Sequence, residues 1–252
     1  MARPIGLILY QGPSEIDGKP IVVIGTFRSK NRKTGPLVQT WIIRDDLSPL
    51  VAAQSGEDKS VCGDCAFRWS VTGLCYVNLI QAPRGVYEAY KAGSYSVYEP
   101  AEHDRYFAGR TLRVGSYGDP AAVPFKLWKQ LVTQFADHVG YTHQWARFPE
   151  FRTLVMASCN SEFEAICAQA SGWRTFRTRN TDQPLMPSEV SCPASPEGGN
   201  RRTCETCKGC DGNLSASHKR KSFAIVAHGS PPKRNRLAEF HREHDKEFRE
   251  IT

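Results

Sequence analysis

The first fifty residues alternate short apolar runs with turn-forming and charged segments. Leu7-Ile8-Leu9-Tyr10 and Ile21-Val22-Val23-Ile24 have the length and side chains of strands. Gln11-Gly12-Pro13 and Asp17-Gly18-Lys19-Pro20 bound the loop between them. A basic loop over residues 28–35 leads to a third strand over 38–43. Residues 55–76 are polar. Residues 83–91 suggest a short helix ended by Gly93. From residue 110 the pattern changes. Residues 111–117 predict a strand, and Asp119-Pro120 and Pro124 introduce a helix. Its Leu127, Leu131, Phe135 and Val139 recur every four residues on one face. Tyr141 and Thr142 begin a brief strand, and residues 153–158 form another. Ser161 to Glu164 matches a capping box and opens a helix ending near Gly172. Residues 173–176 and 222–227 give the last strands.

Alternating strands and helices imply an α/β protein with a mainly parallel strand–helix core, a sheet or partial barrel. The chain divides into an N-terminal β segment (1–54), a cysteine-bearing loop (55–80), the α/β core (81–183), a second cysteine-rich segment with the last strand (184–229) and a charged tail (230–252). That tail reads as a helix or as disorder.

Composition sharpens this picture. A chain of 252 residues with 40% hydrophobic content suits one large domain or two small ones. No stretch approaches the ~20 uninterrupted apolar residues of a membrane helix, so no membrane partner is expected. The N-terminus lacks an apolar signal core, which leaves the chain in a reducing cytoplasm. The net charge of +7 is uneven, with twelve Lys and Arg against seven Asp and Glu after residue 197. A basic C-terminal region suits nucleic acid or a solvated surface.

Nine cysteines in such a chain point to metal or redox chemistry rather than to a disulfide frame. Cys204-x2-Cys207-x2-Cys210 places three thiols within seven residues, and Cys192-Pro193 lies upstream. Three close cysteines with a remote Cys-Pro are the ligand pattern of a [4Fe–4S] cluster, and a four-cysteine zinc site is the alternative. Cys62-x2-Cys65-x9-Cys75 offers three thiols. They suit a cluster with one open position, or a zinc site completed by a distant His or Cys. Cys159 stays open in role. Cys167, with Phe163 and Ile166, reads as a small buried hydrophobe.

A further set is defined by position. Asp119, His143-Gln144, Cys159-Asn160, Arg177 and His228 each follow a predicted strand, and parallel strands share one C-terminal face. Asp119 would bind a cationic group or cap a helix. His143 and His228 would ligate metal or transfer protons. His138 would cap a helix, while His241 and His244 would be solvated.

Gly118-Asp119-Pro120, Lys33-Thr34-Gly35, Gly140-Tyr141-Thr142-His143, Ala227-His228-Gly229 and the two cysteine groups resemble a family of uncharacterised bacteriophage and mobile-element proteins carrying a domain of unknown function. The resemblance runs from about residue 31 to 229. More distantly, the chain is similar to radical-SAM-like phage proteins. Their motif is Cys-x3-Cys-x2-Cys, against Cys-x2-Cys-x9-Cys-Tyr here. This resemblance implies a partial barrel, a working cluster on Cys62, Cys65 and Cys75, an auxiliary one on Cys192, Cys204, Cys207 and Cys210, and S-adenosylmethionine touching Gly118 and Asp119 in a bacterial host cell. The other reading is a zinc-stabilised, non-catalytic nucleic-acid-binding protein, with the 28–33 loop and the 219–236 stretch on phosphates.

Overall fold

The computed structural model describes residues 3–29, 31–213, 220–228 and 230–251, with side chains as far as 243. The strands are β1 (Gly6–Pro13), β2 (Pro20–Thr26), β3 (Val38–Arg44), β4 (Ser96–Val97), β5 (Thr111–Tyr117), β6 (Asp137–Thr142), β7 (Met156–Cys159), β8 (Thr175–Arg179), β9 (Glu189–Ser191) and β10 (Ser222–Val226). The helices are α1 (Pro49–Ser55), α2 (Lys59–Cys62), α3 (Ala82–Lys91), α4 (Pro100–His103), α5 (Phe125–Val132), α6 (Glu162–Ala170), α7 (Cys204–Cys207) and α8 (Pro231–Ile251).

All ten strands form one sheet in the order β4-β1-β2-β3-β5-β6-β7-β8-β10-β9. β1–β2 and β2–β3 are antiparallel, and every other pairing is parallel. The expected N-terminal β segment and parallel core therefore share one sheet, and the protein is α/β. From β3 to β8 neighbouring parallel strands follow one another in the chain, apart from the short edge strand β4.

The two sheet faces are covered differently. On one, Leu112, Val114, Ala157 and Cys159 join a core with Trp128 and Leu131 of α5 and Ala165 and Ala168 of α6. Trp128 is fully buried, and its indole N–H donates to Pro120 O at 2.9 Å. On the other face, register aligns Gln39, Arg113 and Val139 across β3, β5 and β6. Tyr141 pairs with Met156, Ser158 with Phe176, and Phe176 with Phe223. Among the described residues its apolar cluster draws on no long helix. Instead Val139, Met156 and Phe223 pack against Cys210, with Cys204 and Cys207 beside them. Period-2 alternation thus sends helices to one side and the second cysteine segment to the other.

Several local expectations are corrected. Val139 lies in β6, not on the preceding helix, which ends at Val132; the register of residues 137–140 on β5 makes this segment a strand. His138 accordingly caps no helix, and its Nε2 bonds Leu154 O at 2.8 Å. Phe163 and Ile166 are exposed, and α6 buries the smaller Ala165 and Ala168, which allow close approach to the sheet. His241 is buried, at 1% exposure, because α8 packs down through Leu237 and Phe240. Lys219, Gly229 and the His244 side chain lie outside the described residues.

Replacing Trp128 with Ala removes a fully buried indole and a buried donor. We expect a loss of about 3–5 kcal/mol of unfolding free energy, read by denaturant titration. A loss below about 1 kcal/mol would contradict the packing of α5 on the sheet.

Candidate metal centres

The first cysteine group occupies a loop laid over the C-terminal ends of the parallel strands. Asp119 anchors it there. Gly118 has φ +81, and a Cβ on it would lie 2.5 Å from Ile42 O, so the turn after β5 requires glycine. The next residue, Asp119, is buried. Its carboxylate accepts from Ala121 N (3.0 Å), Thr142 Oγ1 (2.6 Å) and His143 N (2.7 Å), and its own N–H donates to Val61 O at 2.6 Å. It caps the turn Pro120–Ala122 and also ties β5, β6 and α2 together. Burial raises its pKa, opposed by His143 and these hydrogen bonds.

Arg68 organises the rest of the loop from inside. It bonds Asp58 Oδ1 through Nε (2.9 Å) and Nη2 (2.6 Å), and also reaches Gly56 O (2.6 Å) and Gly63 O (3.4 Å). Arg68 and Asp58 are 9% and 3% exposed. Within this frame the thiols of Cys62, Cys65 and Cys75 lie in electrostatic reach of one another. Burial, then Asp58 and the neighbouring thiols, push Cys62 up strongly. Burial is also the main cause that pushes Cys75 to about 11. Tyr117 closes the site from β5. It is 5% exposed, its hydroxyl has no hydrogen-bond partner, and its nearest electrostatic neighbours are Cys62, Asp58 and Cys75.

His143 stands against this group. Cys65 is its first electrostatic partner, both lining the same cavity, and its Nδ1 is 4.0 Å from Asp119 Oδ2. Burial works to lower its pKa, but Cys65, Asp119 and Glu164 together raise it to about 9. Beside His143 and Cys65 opens a cavity of about 220 Å³, lined among others by Gln144, Ser158, Asn160 and Glu164. Asn160 is 3% exposed with its Oδ1 unpartnered, while its N–H donates to Glu164 Oε2 at 2.7 Å.

The second group is built on α7, whose N-terminus is fixed by reciprocal Thr203–Thr206 capping. Cys204 N and Glu205 N donate to Lys33 O and Thr34 O, so the basic loop seats this helix. Cys210 O accepts from Gly140 N at 2.9 Å, pinning the loop to β6. Arg174 binds the carbonyls of Gly209, Gly212 and Lys221, the counterpart of Arg68 in the first loop. Upstream, a Cβ on Gly198 would lie 2.0 Å from Cys192 O, so only glycine permits that approach. Every pair among Cys192, Cys204, Cys207 and Cys210 is within electrostatic reach. Burial raises Cys192, Cys204 and, most strongly, Cys210.

Arg113 lies between the two groups. It stacks over the Tyr141 ring (5.6 Å to the centroid) and has Tyr76, Cys204 and Cys210 as electrostatic neighbours. Among the described residues no carboxylate pairs with it. Tyr76, next to Cys75, is 69% exposed.

The structure thus brings Asp119 and His143 to the first cysteine group and gathers the four cysteines of the second. It does not bring His228 to them. His228 is exposed, and its charged neighbours are Lys33 and Glu197, on the side of the second group. Arg68, Arg113, Tyr117 and Arg174 were not singled out in the sequence. Only three-dimensional closure gives them meaning, and no local motif marks them. Among the described residues, no three His, Cys, Asp or Glu side chains stand at the spacing that grips a single metal ion. The donor set itself fits a metal. Two gatherings of thiols, and a buried hydroxyl without a partner near Cys62 and Cys75, are of the kind that suits a thiolate-bound cation. The chain matches no family model, no curated protein and no solved structure.

Arg68→Ala leaves Asp58 buried without its partner. We expect it to cost about 3–5 kcal/mol by chemical denaturation, with Arg68→Met/Asp58→Leu recovering part of the loss. Equal losses for the single and double variants would show that the pair does not organise the loop.

Proposed function

We propose that this is an iron–sulfur protein with two thiolate-held centres, one of which works at the mouth of a small-molecule cavity. One observation carries the reading. Four thiols converge on one sheet face opposite Arg113 and Lys33, and neither cation has a carboxylate partner among the described residues. An unpaired guanidinium is costly in such surroundings. Four neutral thiols would not offset it, whereas four thiolates around a cluster carry net negative charge and would. The same charge count serves zinc. What supports the cluster is the sequence pattern, Cys204-x2-Cys207-x2-Cys210 with Cys192-Pro193 upstream.

The first group supports a working role through its position. It sits at the C-terminal strand ends, where ligands bind in parallel α/β folds, and it shares Cys65 and His143 with the 220 Å³ cavity. The consecutive parallel order supports the partial-barrel reading. When bound, a cluster would supply one-electron chemistry or a Lewis-acidic iron beside that cavity. Asp119 holds His143, and Asn160 and Glu164 present acceptors to whatever enters. The phage-protein and radical-SAM resemblance belongs to this reading as context. Nucleic-acid binding is less well served. Lys233 Nζ donates to Cys75 O at 2.8 Å, and Arg236 approaches Gly73, so these two basic groups of α8 turn towards the first loop. No helix among the described residues is long and apolar enough to cross a membrane.

Anaerobically purified protein should be brown, with iron and sulfide bound. Cys207→Ser should lower bound metal and reduce thermal stability, because a ligated site contributes directly to folding. Colourless protein containing only zinc would move both centres to the structural zinc reading. Unchanged metal content in Cys207→Ser would overturn the second centre.

A further inference from the structure

The cavity beside the first cysteine group holds a polar side chain that the fold leaves unserved. Asn160 directly follows β7, lines the cavity and is 3% exposed, yet its Oδ1 has no hydrogen-bond partner. A buried amide without partners costs stability, and such groups are rare in folded chains. Its backbone N–H is already engaged, donating to Glu164 Oε2 at 2.7 Å. Among the described residues that is the one hydrogen bond the Glu164 carboxylate accepts, so a second acceptor with capacity to spare lines the same space. Neither group is needed to cap α6, because Ser161 Oγ already accepts from Glu164 N at 3.1 Å.

The rest of the lining favours a positive guest. Of its two basic side chains, Arg147 donates to Ile16 O at 3.1 Å and lies over the Phe148 ring, and His143 has the Asp119 carboxylate 4.0 Å from its Nδ1. Asp64 adds a second carboxylate at the rim. Trp145, partly buried against the core, supplies an aromatic wall of the kind that attracts cations. The volume of about 220 Å³ is that of roughly seven waters at about 30 Å³ each, which suits a small molecule or the head of a larger one.

We propose that this cavity binds a small organic cation, whose ammonium or amidinium head donates to Asn160 Oδ1 and to the Glu164 carboxylate while its apolar side lies along Trp145. The inference rests on the reading of the cavity as a small-molecule site and needs no metal at the first group. Two acceptors, one of them charged, select a head with several N–H donors. A ligand hydroxyl has one proton and serves one of them. A ligand carboxylate brings further acceptors and leaves both unpaired, which is how a site built for donors rejects it.

Titration calorimetry on the full-length chain tests this, with benzylamine and benzamidine as probes and benzyl alcohol and benzoate as controls of matching shape. The expected result is a Kd of about 1 mM or below for at least one cation, and binding at least about tenfold weaker for both controls. Benzylamine against benzamidine tells a tetrahedral head from a planar one. Glu164→Gln keeps an acceptor for Asn160 N and should weaken the bound probe at least about tenfold; Asn160→Leu should abolish its binding. Absence of binding by both cations, equal binding of benzoate, or wild-type affinity in both variants overturns the proposal. The comparison of probes on wild type needs no variant, so a variant that fails to fold leaves the question decided. Titrations before and after chelator treatment separate this inference from the metal reading. Metal-free protein that binds the cation would sink the metal centre and keep the site, and metal-bearing protein that binds neither probe would do the reverse.

Discussion

The carboxylate of Asp119 is the constraint on which the candidate site depends. Two parallel strands end side by side, and their last amides and hydroxyl have no ladder partners left. One buried acid takes up Ala121 N, Thr142 Oγ1 and His143 N, and its own amide reaches Val61 O in the cysteine loop. Strand ends, rim histidine and thiol-bearing loop are therefore fixed by a single residue. Desolvation opposes this arrangement by raising the carboxyl pKa, and three hydrogen bonds offset it. The capping and site-forming accounts of Asp119 thus describe one geometry.

Each cysteine loop is largely irregular, and in each an arginine gathers several backbone carbonyls. Arg68 gathers the carbonyls of residues 56 and 63 with Asp58, and Arg174 gathers those of 209, 212 and 221. The planar guanidinium presents several donors in a fixed fork, which suits loops that cannot satisfy their own backbone. Arg113 differs, because its surroundings are phenols and thiols. Tyr76, next to Cys75, is also among its neighbours, so Arg113 stands where the two groups approach each other.

Much of the fold was legible in the sequence. The first three strands declare themselves through β-branched runs between turn residues, and the strand after residue 110 through its length and its Gly-Asp-Pro stop. The cysteine groups follow from spacing alone. What escaped was decided across the chain. Val139 fits a helical stripe as well as a strand, and only the register with β5 decides it. Phe163 and Ile166 look like a buried face, but the sheet prefers the closer approach of Ala165 and Ala168. His228 ends a strand as expected, yet β10 lies beyond β8, which carries it away from the β5–β6 rim where Asp119 and His143 meet. Position within a strand could be read locally; position across the sheet could not.

The covering of the second sheet face has a consequence for how the chain is made. Val139, Met156 and Phe223 are sealed by Cys210 and its neighbours rather than by a helix, and Gly140 on β6 gives its amide to Cys210 O. During synthesis β6 and β7 emerge some fifty to seventy residues (on the order of several seconds at typical elongation rates) before the segment that will cover them. The apolar wall of that face is thus completed by a long-range contact, closed only once a segment far along the chain has been made.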